Sequence, residues 1–204
     1  MTPRLNQADR EQILESNRTA LLAAAAIEIA QSGFNGANIN QISLAAGFAK
    51  GTIYNYFSSK QNLMLALIDD FAQSHFERLS DAVRAVDDPK QRLHNFFEAG
   101  FDFIAKHIAP ARVVVNTIYG PEEVFKAHLY KAYQPMFQLV AAEILVPGIE
   151  QGCFRSLDPV ANANLLMTMY LGTASQVTDE GTFFLDVAQV IDFGLHALER
   201  KEQT

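Results

Sequence analysis

The stretch GFAKGTIYNYFSSKQNL, residues 47–63, contains two lysines and two tyrosines but neither aspartate nor glutamate. It belongs to a longer acid-free segment, because no Asp or Glu occurs from residue 29 to residue 68. The chain has 23 acids among 204 residues, so a segment of this length is expected to contain about four of them. This segment therefore faces a partner next to which negative side chains are unfavourable.

The charge is distributed unevenly along the chain. Residues 1–60 carry five Lys or Arg and four Asp or Glu, a net charge of +1. Residues 61–204 therefore carry a net charge of −8, because the whole chain carries −7. An acidic body with a neutral-to-basic amino-terminal part is compatible with a polyanionic partner that contacts this part alone.

The compartment follows from the cysteine count and from the apolar runs. The single cysteine, Cys153, cannot form an intrachain disulfide, which fits a reducing compartment. The polar first residues lack the apolar region of a signal peptide, and the longest apolar runs are too short or too interrupted to span a bilayer. The sequence predicts a cytoplasmic protein without a membrane partner.

Apolar residues recur at spacings of three and four along most of the chain, and the alternation of half-buried strands is rare. The sequence therefore predicts an all-α fold of about nine helices. The first helix ends at Gly33, Asn38 or Asn40 caps a second that runs through Ala46, and a third covers about residues 50–57.

Later helix boundaries follow from capping residues and prolines. Ser58 or Ser59 caps a long fourth helix, and Asp88 before Pro89 starts a fifth that runs through about residue 108. A sixth helix starts at Pro110, and residues 119–123 (YGPEE) separate it from a seventh that ends near Val146. Asp158 before Pro159 opens an eighth, and a last apolar stripe covers residues 184–198.

Two short helices joined by a glycine-containing turn form a helix-turn-helix, whose second helix lies in the major groove of DNA. Gly47 supplies the turn, and the outward face of the third helix offers side chains that donate to phosphates and base edges: Lys50, Gly51, Thr52, Tyr54 and Asn55. Gly51 costs such a helix about 1 kcal/mol relative to alanine, which we interpret as room for close approach to DNA. A carboxylate on this face would oppose the phosphates, which explains the missing acids.

At these residues the chain closely resembles the TetR family of bacterial transcriptional regulators. The family pattern runs from an alanine-rich first helix ending in Gly-aromatic, through I-x-x-A-A-G, to K-G-T-x-Y-x-Y-F-x-S-K-x-x-L. This sequence reads LLAAAAIEIAQSGF, ISLAAGF and KGTIYNYFSSKQNL. The match covers about residues 21–67, and Ala49 replaces the usual serine or threonine cap of the recognition helix.

The resemblance implies a three-helix helix-turn-helix DNA-binding domain over residues 1–60 and a larger helical ligand-binding and dimerisation domain over residues 61–204. It implies that Thr52, Tyr54, Tyr56 and Lys60 contact the DNA backbone. Asn40, Lys50, Gly51 and Asn55 are placed to reach bases or nearby phosphates, and Asn38, in the place of a usual threonine, is counted with them. Core packing is the alternative for the two tyrosines, and a solvated surface position is the alternative for Lys60.

Aromatic residues, histidines and methionines crowd the middle helices, and Phe97 and Tyr133 belong to this group. Some of its members are candidates for lining a ligand cavity, with ordinary core packing as the alternative: Phe101, His107, Tyr119, Phe125, His128, Met167 and Tyr170. We expect His75, on an otherwise apolar stripe, to be a buried histidine with satisfied hydrogen bonds.

Residues 160–174 are apolar around nearly the whole helix, and residues 184–198 carry a broad apolar stripe. A helix that is apolar on both sides needs a partner beyond the core of its own chain. The candidate homodimer interface consists of Leu166, Tyr170, Phe184, Val187, Ile191 and Leu195.

The sequence contains no constellation typical of an enzyme, and we expect no metal or cofactor. It predicts a sequence-specific DNA-binding transcriptional regulator that binds a palindromic operator as a homodimer. The resemblance to the TetR family implies that it is a repressor and that a small-molecule effector relieves the repression. The alternative is a helical adaptor that uses the helix-turn-helix for protein contact. DNA binding through phosphates weakens steeply with salt, so salt dependence separates the two hypotheses.

Overall fold

The computed structural model describes residues 6–199, and the chain divides into two compact units, one up to Ile68 and one from Asp69 onward. Over the described range the regular structure is helical, with two isolated β-bridges and no strand, which confirms the all-α prediction. The functional division expected after residue 60 stays a prediction. No helix within this range has the length and apolarity that crossing a bilayer requires.

The first unit contains α1 (Gln7–Gly36), α2 (Ile39–Ala45), a short 3-10 helix and the beginning of α3 (Lys60–Arg84). Inside α1, Gly33 has a φ of 69° and leaves the helical conformation, as expected of a glycine that ends a helix. The Asn38 side chain caps α2 by accepting the N–H of Asn40 at 2.9 Å. The Ser59 hydroxyl accepts the N–H of Asn62 at 3.0 Å and caps α3.

The recognition element, the second helix of the predicted helix-turn-helix, differs from its prediction. It is a 3-10 helix of four residues, Thr52–Asn55, so the expected helix over residues 50–57 is wrong in length and type. Gly51 precedes it with a φ of 82°, a left-handed conformation in which a side chain is strained. The interpretation of Gly51 as a helical residue that gives DNA room is therefore corrected, because the glycine provides the turn into the 3-10 helix.

The second unit consists of the rest of α3 and the helices that follow, and Asp88 and Asp158 cap two of them as predicted. Their side chains accept the N–H groups of Gln91 at 2.8 Å and Val160 at 2.9 Å. The helices are α4 (Pro89–Lys106), α5 (Ile108–Tyr119), α6 (Glu123–Gln138), a π-helical turn (Leu139–Leu145), α7 (Val146–Glu150), α8 (Pro159–Ala174) and α9 (Val187–Leu198).

Two boundaries in the second unit depart from the sequence prediction. The helix expected to start at Pro110 begins at Ile108, because a proline within the first turn lacks only an N–H that has no intrahelical partner. The helix expected to end near Val146 continues through the π-helical turn to Glu150.

Aromatic rings from several helices fill the core of the second unit. Phe96, Phe97 and Phe101 of α4 surround Tyr170 of α8, and the closest pair of ring centroids, Phe101 and Tyr170, is 4.9 Å apart. Gly100 makes this packing possible, because a Cβ at that position would lie 2.6 Å from the Tyr170 hydroxyl oxygen.

Candidate DNA-binding site

A buried serine fixes the recognition element against α2. The hydroxyl oxygen of Ser43 accepts the backbone N–H of Ile53 at 3.1 Å, and both residues are buried. The first N–H groups of a helix have no partner within it, so Ser43 satisfies one of them from a neighbouring helix. No local signal in the sequence indicates this bond, because Ser43 and Ile53 are ten positions apart.

Tyr56 and Phe57, which follow the recognition element, are tied to α1. The hydroxyl oxygen of Tyr56 accepts a hydrogen bond of 2.9 Å from the Asn17 side-chain amide. The Arg18 guanidinium lies 5.8 Å from the centroid of the buried Phe57 ring, within the range of a cation–π contact. The sequence analysis missed Asn17, because no local signal links it to a tyrosine 39 positions away.

The recognition element and the two residues before it carry most of the residues predicted to bind DNA. Lys50, Tyr54 and Asn55 are exposed and Thr52 is half-buried, while Asn40 is exposed on the neighbouring α2. These side chains include a cation, a phenol, a hydroxyl and two amides, which donate to phosphate oxygens and to base edges. The surface contains no carboxylate, because the acid-free segment covers α2 and the recognition element.

Lys60 is held at the end of α1. Its Nζ donates to the carbonyl oxygen of Asn35 at 3.0 Å and lies 5.1 Å from the centroid of the Phe34 ring. A lysine beside the last carbonyls of a helix is a favourable arrangement. Lys60 thus has a structural role of its own, and its assignment to a phosphate stays a prediction.

Asn38 is likewise engaged within the protein. Its side chain caps α2, and its backbone N–H donates to the Glu28 carboxylate at 3.0 Å. Glu28 is the last acid before the acid-free segment, and a carboxylate near a helix N-terminus is stabilising. The sequence left the cap open between Asn38 and Asn40, and the structure assigns it to Asn38.

The predicted effector residues are dispersed within the second unit. Phe101, Phe125, Met167 and Tyr170 are buried, His107 and Tyr119 are exposed, and His128 is half-buried with its Nε2 2.7 Å from the Asp69 carboxylate. His75 is buried and bonded to Tyr170 at 2.8 Å, which confirms the expectation of a satisfied histidine.

The predicted dimer residues separate into two groups. Leu166, Tyr170 and Ile191 are buried in the core of their own chain, whereas Val187 and Leu195 are half-buried and Phe184 is 83% exposed. The first group offers little surface to a partner. The sequence pattern did not distinguish the two faces, because both sides of these helices are apolar.

A short helix fixed against a second helix, with an exposed carboxylate-free surface of hydrogen-bond donors, defines a helix-turn-helix DNA-binding unit. The family model described as bacterial regulatory proteins, tetR family, matches residues 21–67. The transcriptional repressor KstR2 of Mycobacterium tuberculosis is 31% identical over 152 residues, which cover 70% of this chain and 71% of that protein. The chain belongs to the TetR family of bacterial regulatory proteins.

Solved structures share this fold. FadR from Bacillus halodurans, a fatty acid degradation regulator, superposes with a TM-score of 0.80 at 21% identity, over 90% of this chain and 97% of that one. FadR from Bacillus subtilis in complex with stearoyl-CoA has a TM-score of 0.77 at 20% identity, over 89% and 97% of the two chains.

Family membership confirms the predicted class of function, a DNA-binding transcriptional regulator. The relatives are named as regulators rather than as enzymes, which agrees with the sequence prediction.

Proposed function

We propose that the protein binds an approximately palindromic operator as a homodimer, with one recognition element in each of two major grooves. The observation that carries this proposal is the outward, carboxylate-free surface of Asn40, Lys50, Thr52, Tyr54 and Asn55. It lies on α2 and around the recognition element, which the Ser43–Ile53 hydrogen bond joins. Two-fold symmetry requires half-sites about 34–36 Å apart or a multiple of that distance.

The homodimer is supported by an exposed apolar surface on α8 and α9. Leu165 of α8 and Phe193 of α9 are 67% and 68% exposed. A side chain of α8 reaches α9, because a Cβ at Gly194 of α9 would lie 3.0 Å from the end of the Met169 side chain. Apolar side chains exposed on neighbouring helices are typical of a protein–protein interface. This surface takes the place of the buried residues Leu166, Tyr170 and Ile191 in the proposed interface.

The effector is proposed to be a lipid-like small molecule bound within the second unit. The FadR relative binds stearoyl-CoA, and the interior of the second unit is rich in aromatic rings. Ligand sites lined by apolar and aromatic side chains suit molecules with a large apolar part. Binding relieves repression when the effector prefers the form of the protein that does not fit the operator.

DNA binding is tested with a duplex selected by the protein from a random pool, by fluorescence anisotropy over a range of salt concentrations. About six phosphate contacts reduce the affinity about a thousandfold between about 50 and 200 mM salt. Lys50→Ala weakens binding, whereas Lys131→Ala, an exposed lysine of α6, serves as the matched control. Salt-independent binding, or equal effects of the two variants, overturns the proposal in favour of the adaptor hypothesis.

The dimer is tested by sedimentation of the Phe193→Glu variant, which places a charge on the proposed interface. The variant is expected to sediment as a monomer and to lose operator affinity, while Val124→Glu, at an exposed apolar position of α6, remains a dimer. If the Phe193→Glu variant remains a dimer, the interface lies elsewhere on the protein.

A further inference from the structure

A polar cluster lies in the apolar core of the second unit. His75 of α3 is buried, with its Nε2 2.8 Å from the Tyr170 hydroxyl and its Nδ1 3.5 Å from the Tyr133 hydroxyl. Phe103 stacks on the imidazole with 4.7 Å between ring centroids and 6° between ring planes. Tyr133 and Tyr170 are buried as well, so three helices contribute one polar group each.

The protons of this cluster do not match its acceptors. A neutral imidazole has one N–H and one acceptor nitrogen, and each phenol has one O–H. The two bonds to His75 use two of these three protons, which leaves one hydroxyl proton without an acceptor inside the cluster. The spare proton belongs to whichever tyrosine accepts the imidazole N–H. The bond to Tyr170 is short and the bond to Tyr133 lies at the outer limit of a hydrogen bond, so the Tyr133 hydroxyl changes partner at the lower cost.

An apolar cleft reaches the same tyrosine from outside. It lies between α5, α6 and α8, and its free volume is about 20 Å³, which is room for about one water molecule. Val114, Ile118, Leu129, Tyr130, Tyr133, Phe137 and Leu171 line it. The cleft exposes only apolar atoms, so Tyr133 lines it with its ring. A larger molecule reaches the Tyr133 hydroxyl only if the lining side chains move apart.

The cluster carries no charge near neutral pH. Burial, with a smaller contribution from His107, lowers the pKa of His75 to about 3. Burial raises the pKa of Tyr133 and of Tyr170 above that of an exposed tyrosine. A buried carboxylate is costly unless a cation or several donors compensate it, and this cluster offers no cation. An uncharged oxygen costs far less to bury and accepts the spare proton.

We propose that the effector enters through this cleft and that its buried end carries one uncharged oxygen acceptor, a hydroxyl or a carbonyl, which binds the Tyr133 hydroxyl beside His75. The proposal rests on the proposed function, because it specifies the ligand of the same regulatory unit. It excludes a plain hydrocarbon end and a free carboxylate as the preferred buried group.

The test uses three probes of equal carbon number: butylbenzene without oxygen, phenylbutanol with a hydroxyl and phenylbutyrate with a carboxylate. Their binding to the full-length protein without DNA is measured by calorimetric titration. Phenylbutanol is expected to bind most tightly, and Tyr133→Phe is expected to lower its affinity about five- to tenfold, the value of one neutral hydrogen bond. The same substitution leaves butylbenzene unchanged.

Tyr130→Phe is the matched control, because Tyr130 lines the same cleft but is exposed, and it is expected to change no affinity. Leu171→Ala opens the cleft in case native packing excludes the probes. Equal or tighter binding of phenylbutyrate, a phenylbutanol preference that survives Tyr133→Phe, or no binding even to Leu171→Ala overturns the inference. Since the titrations contain no DNA, a failure to bind an operator is detected separately and counts against the proposed function alone.

Discussion

Ser43 and Ile53 are joined by a hydrogen bond of 3.1 Å in the core of the first unit. The bond links the middle of α2 to the start of the recognition element, so the exposed residues of both helices have a fixed separation. A donor that is buried without a partner costs about 1–3 kcal/mol, which gives this bond a measurable role.

Ser43→Ala removes the acceptor and leaves the Ile53 N–H buried and unpaired. The free energy of unfolding is expected to fall by about 1–3 kcal/mol, and operator affinity falls with the loss of fixed geometry. Ser16→Ala is the control, because Ser16 is exposed on α1. Urea denaturation measures the difference, and equal stabilities of the two variants would show that the bond contributes nothing.

Tyr56 is either a DNA contact or a structural residue, and its bond to Asn17 separates these roles. Both Tyr56→Phe and Asn17→Ala remove the bond of 2.9 Å. If Tyr56 acts only through Asn17, the two substitutions reduce operator affinity equally and the double variant is no worse than either. If the hydroxyl binds a phosphate, as the resemblance implies, Tyr56→Phe alone causes the larger loss in anisotropy titrations.

Lys60→Ala tests a contact with the DNA backbone. The variant is expected to weaken binding to all sequences alike and to reduce the slope of log affinity against log salt by about one unit. It also loses the contacts to Asn35 and Phe34, so its stability is measured in parallel. An unchanged salt slope together with lower stability assigns Lys60 to the first unit's own packing. A loss confined to particular sequences contradicts a backbone contact.

His75 makes stability depend on pH. Its folded pKa of about 3 lies below the ordinary value of 6.5, so the unfolded chain binds the proton first. The stability from keeping His75 neutral is therefore complete above pH 6.5 and decreases toward pH 3, at most by about 1.4 kcal/mol per pH unit. Tyr133, Tyr170 and the nearby His107 surround the ring without supplying a negative charge.

The measurement compares urea denaturation of the wild type and His75→Phe from about pH 4.5 to about pH 7, where the variant is expected to show the smaller acid-induced loss. His196→Gln is a control of opposite sign, because a backbone hydrogen bond and the charge of Asp192 raise the pKa of His196. Parallel pH profiles of the wild type and His75→Phe would show that His75 is not buried in the neutral form.

Local signals predicted much of the fold correctly. The caps at Asp88 and Asp158 follow from a side chain and a proline adjacent in sequence, and Gly33 ends a helix through its own backbone preference. The recognition element was predicted less well, because its periodicity suits an α-helix while Gly51 adopts a left-handed conformation. The spacing of apolar residues alone does not show whether Gly51 is helical or left-handed.

Contacts between distant positions could not be predicted. The Asn17–Tyr56 bond joins residues 39 positions apart, and the His75–Tyr170 bond joins residues 95 positions apart. Each bond forms only in the packed fold. Leu166 and Ile191 were predicted at the dimer interface although the core of their own chain buries them. A helix that is apolar all round does not reveal which side its own core covers.

The absence of a side chain at Gly100 makes the residues allowed at positions 100 and 170 depend on each other. A methyl group there would collide with the phenol of Tyr170, whose ring is enclosed by phenylalanines and cannot swing away. Natural variants with alanine at position 100 are therefore expected to carry a smaller residue at position 170 as well. Such paired replacements would also remove the short hydrogen bond of His75, and with it one arm of the buried polar cluster.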